Sequence, residues 1–288
     1  MKKYIKKITS KLNNRLYSKI LYYTYFNKKL DLKNPKDFNE KLMYLKVKNY
    51  NKNRIVWQCS DKYLMRQYAI EKGVKEKNLV KLIDVYNDPS EIDFSKLPNK
   101  FVLKCTHGCG FNIICNDKKK INEKETIKQL KKWQRIKFGY ESGEIHYTHI
   151  KPHIICEEYI ESNNGLPYDY KIYCFYGEPY VILVCSEREK GLKLNYFDLF
   201  WNELNYSKEN YKNNKLINKP KTLEKMIEIS KKVSKEFPFV RVDFYEYNNE
   251  PILGEMTFTP AACLARYYSE LGNRKLASKM KLESKDEK

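Results

Sequence analysis

A chain of 288 residues with 42% hydrophobic and 14% aromatic content can bury a sizeable core, which excludes an intrinsically disordered protein. Its 56 Lys and Arg against 36 Asp and Glu give a formal charge of +20, but no nucleic-acid motif accompanies that basicity, so specific nucleic-acid recognition is not expected. No run approaches the ~18 apolar residues of a membrane span, and no secretion signal is visible. The eight cysteines are scattered like small buried hydrophobes of a reducing compartment, and neither a disulfide framework nor a zinc spacing emerges. These features point to a cytoplasmic protein without disulfides.

Residues 1–30 hold nine Lys/Arg and no acid, with Ile5, Ile8, Leu12, Leu16 and Ile20 recurring at helical spacing. A basic amphipathic helix of this kind suits an anionic lipid surface at the inner face of a membrane, or it packs on the domain. Asn34-Pro35 opens a second helix through "KDFNEKLMYLKVK", and "SDKYLMRQYAIEKG" forms a third, with Ser60 as N-cap and Gly73 as its stop. "FVLKC" (101–105) and "FNIIC" (111–115) form a hairpin, and Asn122 caps a helix to about Lys137. "HIICEEYI" (153–160), "YKIYCFY" (170–176) and "YVILVC" (180–185) read as strands, and a helix from Thr222 to about Phe237 stops at Pro238. A last hairpin, "FVRVDFYEYNNEPILGEMTFTP" (239–260), turns at Asn-Asn, and beyond Tyr268 a charged tail, 269–288, follows. The order is α+β with antiparallel pairs, without a dinucleotide fingerprint or a GxxxxGK[ST] loop.

Three stretches carry chemistry. Lys104 is a charge inside an apolar strand, and it precedes Thr106-His107-Gly108-Cys109-Gly110, whose glycines let backbone N–H groups converge on an anion. The alternative is a plain turn with an edge lysine reaching water. Glu157-Glu158-Tyr159-Ile160 ends the next strand, and Asp169 and Lys171 alternate on one face of the following one. In the last hairpin, a turn centred on Asn249 pairs Asp243 with Glu255 and Arg241 with Thr257 on the face opposite Val240, Val242 and Phe244. Facing carboxylates repel, so either a divalent cation belongs between them or an Arg–acid lattice neutralises them.

Read in order, "FNEKLMYLK", "DKYLMRQYA", "FVLKCTHGCGFNIIC", "YDYKIYCF", "FPFVRVDFY" and "GEMTFTP" resemble the TupA-like group of the ATP-grasp superfamily over about residues 36 to 262. The group is named for a teichuronopeptide biosynthesis protein and is associated with surface-polysaccharide synthesis. The resemblance implies an ATP-grasp fold that holds ATP between two α+β subdomains, about 75–160 and 161–268 of a domain spanning 36–268, behind a basic helical extension, 1–35. It implies that Lys104, His107, Gly108, Gly110 and Asn112 serve the phosphates, Glu157, Glu158, Tyr159 and Ile160 the adenine, Asp169 the ribose and Lys171 a phosphate. Asp243, Glu255 and Thr257 would hold Mg²⁺, two ions in all, and Arg241 with Lys171 would steady the transferred group. Thr257 departs from the usual Asn, and Phe111 stands where a second glycine is expected. The implied activity is a carboxylate–amine ligase working through an acyl-phosphate, joining an amino acid or amine to a uronic acid or peptide component of a capsule or similar polymer, on a small or lipid-linked saccharide. A sugar kinase, a glycosyltransferase and a non-catalytic nucleotide-binding scaffold are the alternatives. Specificity is expected from "CTHGC", from 138–153 with His146, His149 and His153, and from "TFTPAACLARYY".

Overall fold

The computed structural model describes residues 10, 12–161, 168–186 and 191–282. Ile5, Ile8 and the end of the charged tail lie outside them. Helix α1 (Asn14–Phe26) is capped by the Asn13 side chain, which accepts from Leu16 N–H, and it buries Tyr17, Ser18, Leu21 and Tyr22. It is part of the domain: the Tyr17 hydroxyl donates to Glu141 O at 2.7 Å and the Asn14 amide to Gly143 O at 3.0 Å. Its other side leaves Leu12, Leu16, Ile20 and Tyr23 exposed.

Helix α2 (Phe38–Lys48) starts later than Asn34-Pro35 because Asp37 and Glu40 form a capping box. The helix expected from Ser60 starts later, as α4 (Leu64–Glu71), and Ser60 is instead the last residue of a separate helix, α3 (Arg54–Ser60). Asp61 breaks the run by accepting from the N–H groups of Tyr63 at 2.7 Å and Leu64 at 3.2 Å, so the acid and not Ser60 starts α4. Gly73, in the left-handed region at φ 80°, ends it as expected.

Two antiparallel sheets follow. The first is built from β1 (Leu82–Tyr86), β2 (Phe101–Cys105), β3 (Asn112–Cys115) and β4 (Ile154–Glu158), in the order β1-β4-β2-β3. Phe101, Leu103, Cys105, Ile154 and Cys156 bury one face in a small core with Leu130 of α5 (Glu123–Gln134), the helix that Asn122 caps. Alternation therefore turns Val102, Lys104, Ile155 and Glu157 the other way. A single turn of helix, α6 (Gly139–Ser142), lies between α5 and β4.

The second sheet has β5 (Asp169–Phe175), β6 (Glu178–Ser186), β7 (Lys193–Phe197), β8 (Glu203–Leu204), β9 (Val240–Tyr247) and β10 (Glu250–Thr257), ordered β10-β9-β5-β6-β7-β8. Helix α7 (Leu223–Ser234) lies across it and buries Leu223, Met226, Ile229 and Val233, each worth about 1.5–3 kcal/mol on burial. On the opposite face Phe38 packs among Tyr173, Phe175, Phe239 and Tyr268. Asp169, Lys171, Arg241 and Asp243 continue that face beyond the aromatic cluster.

The expected tail is a correction. Residues 270–279 form α8 (Glu270–Lys279), capped by Ser269 and docked through Leu276, Ala277 and Met280. Lys41 donates to the carbonyls of Ala277 at 2.8 Å and Met280 at 2.7 Å. Three apolar residues on one stripe outweigh the charges around them.

Candidate active site

The β9–β10 hairpin shapes the site. Its turn is two residues long, Asn248 and Asn249, both left-handed at φ 50° and 58° as a tight hairpin requires. A two-residue turn pairs Tyr247 with Glu250 and Phe244 with Leu253, a register that would carry Glu255 opposite Val242, on the core side. The ladder shifts instead between Leu253 and Glu255, where Gly254 is the extra residue. Beyond this bulge Glu255 faces Asp243 and Thr257 faces Arg241. The pairs expected from a turn centred on Asn249 are therefore present, for a different reason. A side chain at residue 254 would crowd the Tyr245 ring at 3.0 Å.

The two facing acids are not bare. Arg241 grips Asp243 with both prongs, Nε to Oδ1 and Nη2 to Oδ2, each at 2.7 Å. Lys171, opposite Asp243 on β5, donates to Oδ2 at 2.5 Å and lies 3.2 Å from Asp169. Arg241 also donates to the Thr257 hydroxyl at 3.1 Å and lies 3.5 Å from Glu255. Burial disfavours the charge on Lys171, but Asp243 outweighs it and its pKa rises. Burial likewise opposes ionisation of Glu255, yet Lys62, Lys171 and Arg241 hold its carboxyl down at about 2. The arrangement is the Arg–acid lattice, and within it the Glu255 side chain remains 41% exposed, towards open space.

Across from the hairpin, Lys104 of β2 sits 2.6 Å from Glu157 of β4, and Arg66 of α4 approaches the same carboxylate at 3.7 Å. The Glu157 side chain thus serves an ion pair, which leaves the backbone of 157–160 for the expected adenine contact. Asn112 lies opposite Lys104 on β3. The Glu158 N–H donates to Lys81 O at 2.9 Å, and Tyr159 and Ile160 lie just past the strand end.

The loop after β2 is packed more tightly than its glycines imply. Gly110 is left-handed at φ 76°, while a Cβ on Gly108 would meet the rings of Phe111 at 2.9 Å and Phe138 at 3.0 Å. Phe111 stacks on Trp133 and meets Phe138 edge-on, which accounts for an aromatic residue where a glycine is expected. His107 is buried, with Nε2 3.2 Å and 3.1 Å from the carbonyl oxygens of Trp133 and Ile136. Its imidazole holds the loop to the end of α5 through Nε2.

Two cavities border this machinery. One, of about 390 Å³, is walled by Gly108 and Cys109 on one side and by Arg241, Glu255 and Thr257 on the other. The second, of about 500 Å³, is lined by Leu82 and Glu158 of the first sheet, by Ile160 just past it, and by Tyr247 and Ile252 of the hairpin. The turn into α4 and α4 itself border both, through Lys62 and Met65 in the first and Arg66 in the second. Lys62 was missed in the sequence: it donates to Gly108 O at 2.5 Å and acts on Glu255, though it lies far from both along the chain. From 138–153 it is Phe138, Ser142, Glu144 and Tyr147 that reach the first cavity, not the histidines. His146 is fully buried against Asn51 with its pKa pushed down to about 3, and His149 stacks on Trp57.

Two sheets meeting over a lattice of lysines, arginine and carboxylates, with a glycine loop on one side, define a protein of the ATP-grasp class. The chain belongs to the TupA-like ATP-grasp family, whose model matches residues 40–281. Solved structures similar to it include D-alanine–D-alanine ligase from Bacillus anthracis complexed with ATP (14% identity, TM-score 0.41, covering 70% of this chain and 55% of that one). Others are D-alanine–D-alanine ligase from Helicobacter pylori (16%, 0.43, 78% and 61%) and phosphoribosylamine–glycine ligase from Thermotoga maritima (13%, 0.41, 74% and 52%). The chain spans between half and two-thirds of the length of these proteins. No curated protein sequence matches it significantly.

Proposed function

We propose that the protein is an ATP- and Mg²⁺-dependent ligase that activates a carboxylate as an acyl-phosphate and couples it to an amine. The observation that carries this reading is the Lys171–Asp243–Arg241–Glu255 lattice facing the glycine loop across a cavity, in a chain of the ATP-grasp family.

Donor chemistry fits both ATP and the metal. Two carboxylates and a hydroxyl on one edge suit a hard cation that completes its shell with phosphate and water. Among the described residues no group of three or more His, Cys, Asp or Glu forms a closed cage. Asp243, Glu255 and Thr257 would hold the ion, which when bound supplies charge neutralisation on the phosphates. Lys104 reaches the phosphates from the first sheet, as do the N–H groups of the 108–110 turn. Adenine fits the cavity at Glu158–Ile160, with Asp169 towards the ribose. Arg241 and Lys171, already charged and desolvated, stabilise negative charge on the transferring phosphoryl group without reorganising. Arg241 does this by exchanging part of its grip on Asp243 for phosphate oxygen.

The family's namesake directs the substrate towards a uronic acid or peptide component of a surface polymer. Helix α1 supports work at a lipid surface: Leu12 (81% exposed), Leu16, Ile20 and Tyr23 form one apolar stripe flanked by Arg15 and Lys19. Deleting the helix would remove Tyr17 and Leu21 from the core, so the stripe is better tested by Leu16→Glu with Ile20→Glu, which should abolish binding to phosphatidylglycerol vesicles. Unchanged binding would refute the membrane role. The ligase reading is tested by ADP release from Mg·ATP over uronic acids and amino acids. Release that requires both a carboxylate and an amine supports it, whereas release with a sugar lacking a carboxylate would point to a kinase instead.

A further inference from the structure

Beside the phosphoryl lattice, the 390 Å³ cavity has a corner that phosphate chemistry does not use. Glu144 stands on its wall, 5% exposed. The Ser142 hydroxyl donates to one carboxylate oxygen, and the Thr259 hydroxyl donates to the other at 2.5 Å. The nearby buried cation, Lys46, spends its ammonium elsewhere, donating to Ser142 O at 3.1 Å and Ala262 O at 3.3 Å. Lys46 thereby clamps the two chain segments that flank Glu144.

Other elements hold the same corner. Ala261, Ala262 and Cys263 are three successive non-glycine residues in the left-handed region, at φ 50°, 56° and 65°. Left-handed backbone strains any residue that carries a Cβ, and such runs persist only where the surroundings impose them. From the other side α1 reaches the carbonyls of Glu141 and Gly143. A carboxylate this deep is expensive unless its lone pairs are used, and two hydroxyls leave room on each oxygen for a further donor.

We propose that this corner is the pocket for a primary-amine donor, with Glu144 as the carboxylate that receives its ammonium group. The inference rests on the ligase reading and deepens it, because it names the class of the second substrate and the residue that selects it. A lone carboxylate flanked by hydroxyls suits a three-donor ammonium better than a metal ion, which wants several anionic oxygens. The same cavity is lined by Arg241 and Glu255, so an amine held at Glu144 shares its space with the activated acyl group.

The chemistry balances. Glu144 takes one proton from R–NH₃⁺, which frees the nitrogen lone pair. Nitrogen attacks the acyl carbon, the C–N bond forms, and the bond from carbon to the phosphate oxygen breaks. The second nitrogen proton leaves with phosphate as HPO₄²⁻, and Glu144 returns its proton to solvent. Burial raises the Glu144 pKa against the opposing pull of Lys46 and the two hydroxyls, the direction that suits a carboxylate taking a proton.

The test uses the full chain with Mg²⁺ and a non-hydrolysable ATP analogue, titrated with the proteinogenic amino acids, ethanolamine, 1,4-diaminobutane and, as a neutral control, acetamide. At least one amine should bind, and Glu144→Gln should weaken it tenfold or more while leaving nucleotide affinity within twofold. Amine affinity unchanged in Glu144→Gln, or no amine bound by the native protein, would overturn the proposal. Should Glu144→Gln not fold, Glu144→Asp, which retracts the carboxylate from the cavity, should weaken the same amine, and an unaltered affinity refutes the idea equally. Hydroxylamine separates the two levels of the argument, since it traps an acyl-phosphate as a hydroxamate. Hydroxamate from ATP and glucuronic or galacturonic acid, with amine affinity intact in Glu144→Gln, removes the Glu144 assignment alone. Its absence from the native protein removes the ligase reading beneath it.

Discussion

The two sheets each turn a lysine towards the cleft, and they secure it differently. On the first sheet Lys104 has one close acid, Glu157, which Arg66 also approaches, in a closed local arrangement. On the second sheet Lys171 sits between Asp169 and Asp243, and the charges continue through Arg241 to Thr257 and the half-exposed Glu255. The first arrangement positions a single cation. The second is an open chain whose last acid faces a cavity, so added charge at that end redistributes along it. Static contact and responsive contact are built from the same residue types, and the bulge at Gly254 makes the difference.

Breaking the chain at its centre should have the largest effect. Asp243→Asn removes the anion shared by Lys171 and Arg241, whose side chains are 9% and 11% exposed. A buried pair that loses one partner costs about 3–5 kcal/mol, so urea unfolding should show a loss of at least about 3 kcal/mol. The variant should also lose most of its stabilisation by Mg·ATP, which at a hundredfold excess over Kd is about 2.7 kcal/mol in the native protein. A full nucleotide response in this variant would show that the second sheet does not answer to the ligand.

Next comes deletion of Gly254, which takes out the extra residue and leaves Glu255 opposite Asp243 and Thr257 opposite Arg241 in a regular ladder. Stability should fall by about 0.5–3 kcal/mol, as for most single changes, while the Mg·ATP response persists because the facing pairs survive. Replacing Gly254 with Val, which leaves the register and only crowds Tyr245, should keep that response. A response lost in either variant would contradict the role given to the facing pairs.

The smallest effect is a pH dependence. The carboxyl of Glu255 is held near 2 in the folded protein against an ordinary 4.5. A depressed carboxylate contributes stability that is fully present above about pH 4.5 and is lost as pH falls towards 2. Glu255→Gln should therefore flatten the acid limb of the stability curve in that window, with its cost greatest at pH 7 and smallest near pH 2. A parallel acid limb in the two proteins would mean that Lys62, Lys171 and Arg241 do not act on Glu255 as described.

Much of the second sheet was legible in the sequence because alternation of charged and apolar residues survives in "FVRVDFY" and "YDYKIYCF". Facing pairs were predicted correctly, while the bulge that creates them was not, since Gly254 carries no pattern of its own. Strands β1 and β7 escaped because Asp84 and Asn195 interrupt the apolar runs of "LIDVY" and "KLNYF", and α8 because three apolar residues are diluted among charges. Lys62 and Glu144 escaped for a deeper reason: Lys62 meets Gly108 across 46 residues of chain and Glu144 meets Thr259 across 115, and no local periodicity reports such meetings. The histidines of 146–153 drew attention as chemical residues, but burial commits His146 to packing, and it is the acid two positions earlier that lines the cavity.

A structure of the full chain with Mg²⁺ and a non-hydrolysable ATP analogue tests the central claim most directly. The account predicts adenine against Glu158–Ile160, the metal on Asp243 and Glu255, and the γ-phosphate within hydrogen-bond reach of Arg241. Nucleotide bound outside the two cavities, or bound there with the Asp243–Arg241 pair and Glu255 untouched by metal or phosphate, would contradict it.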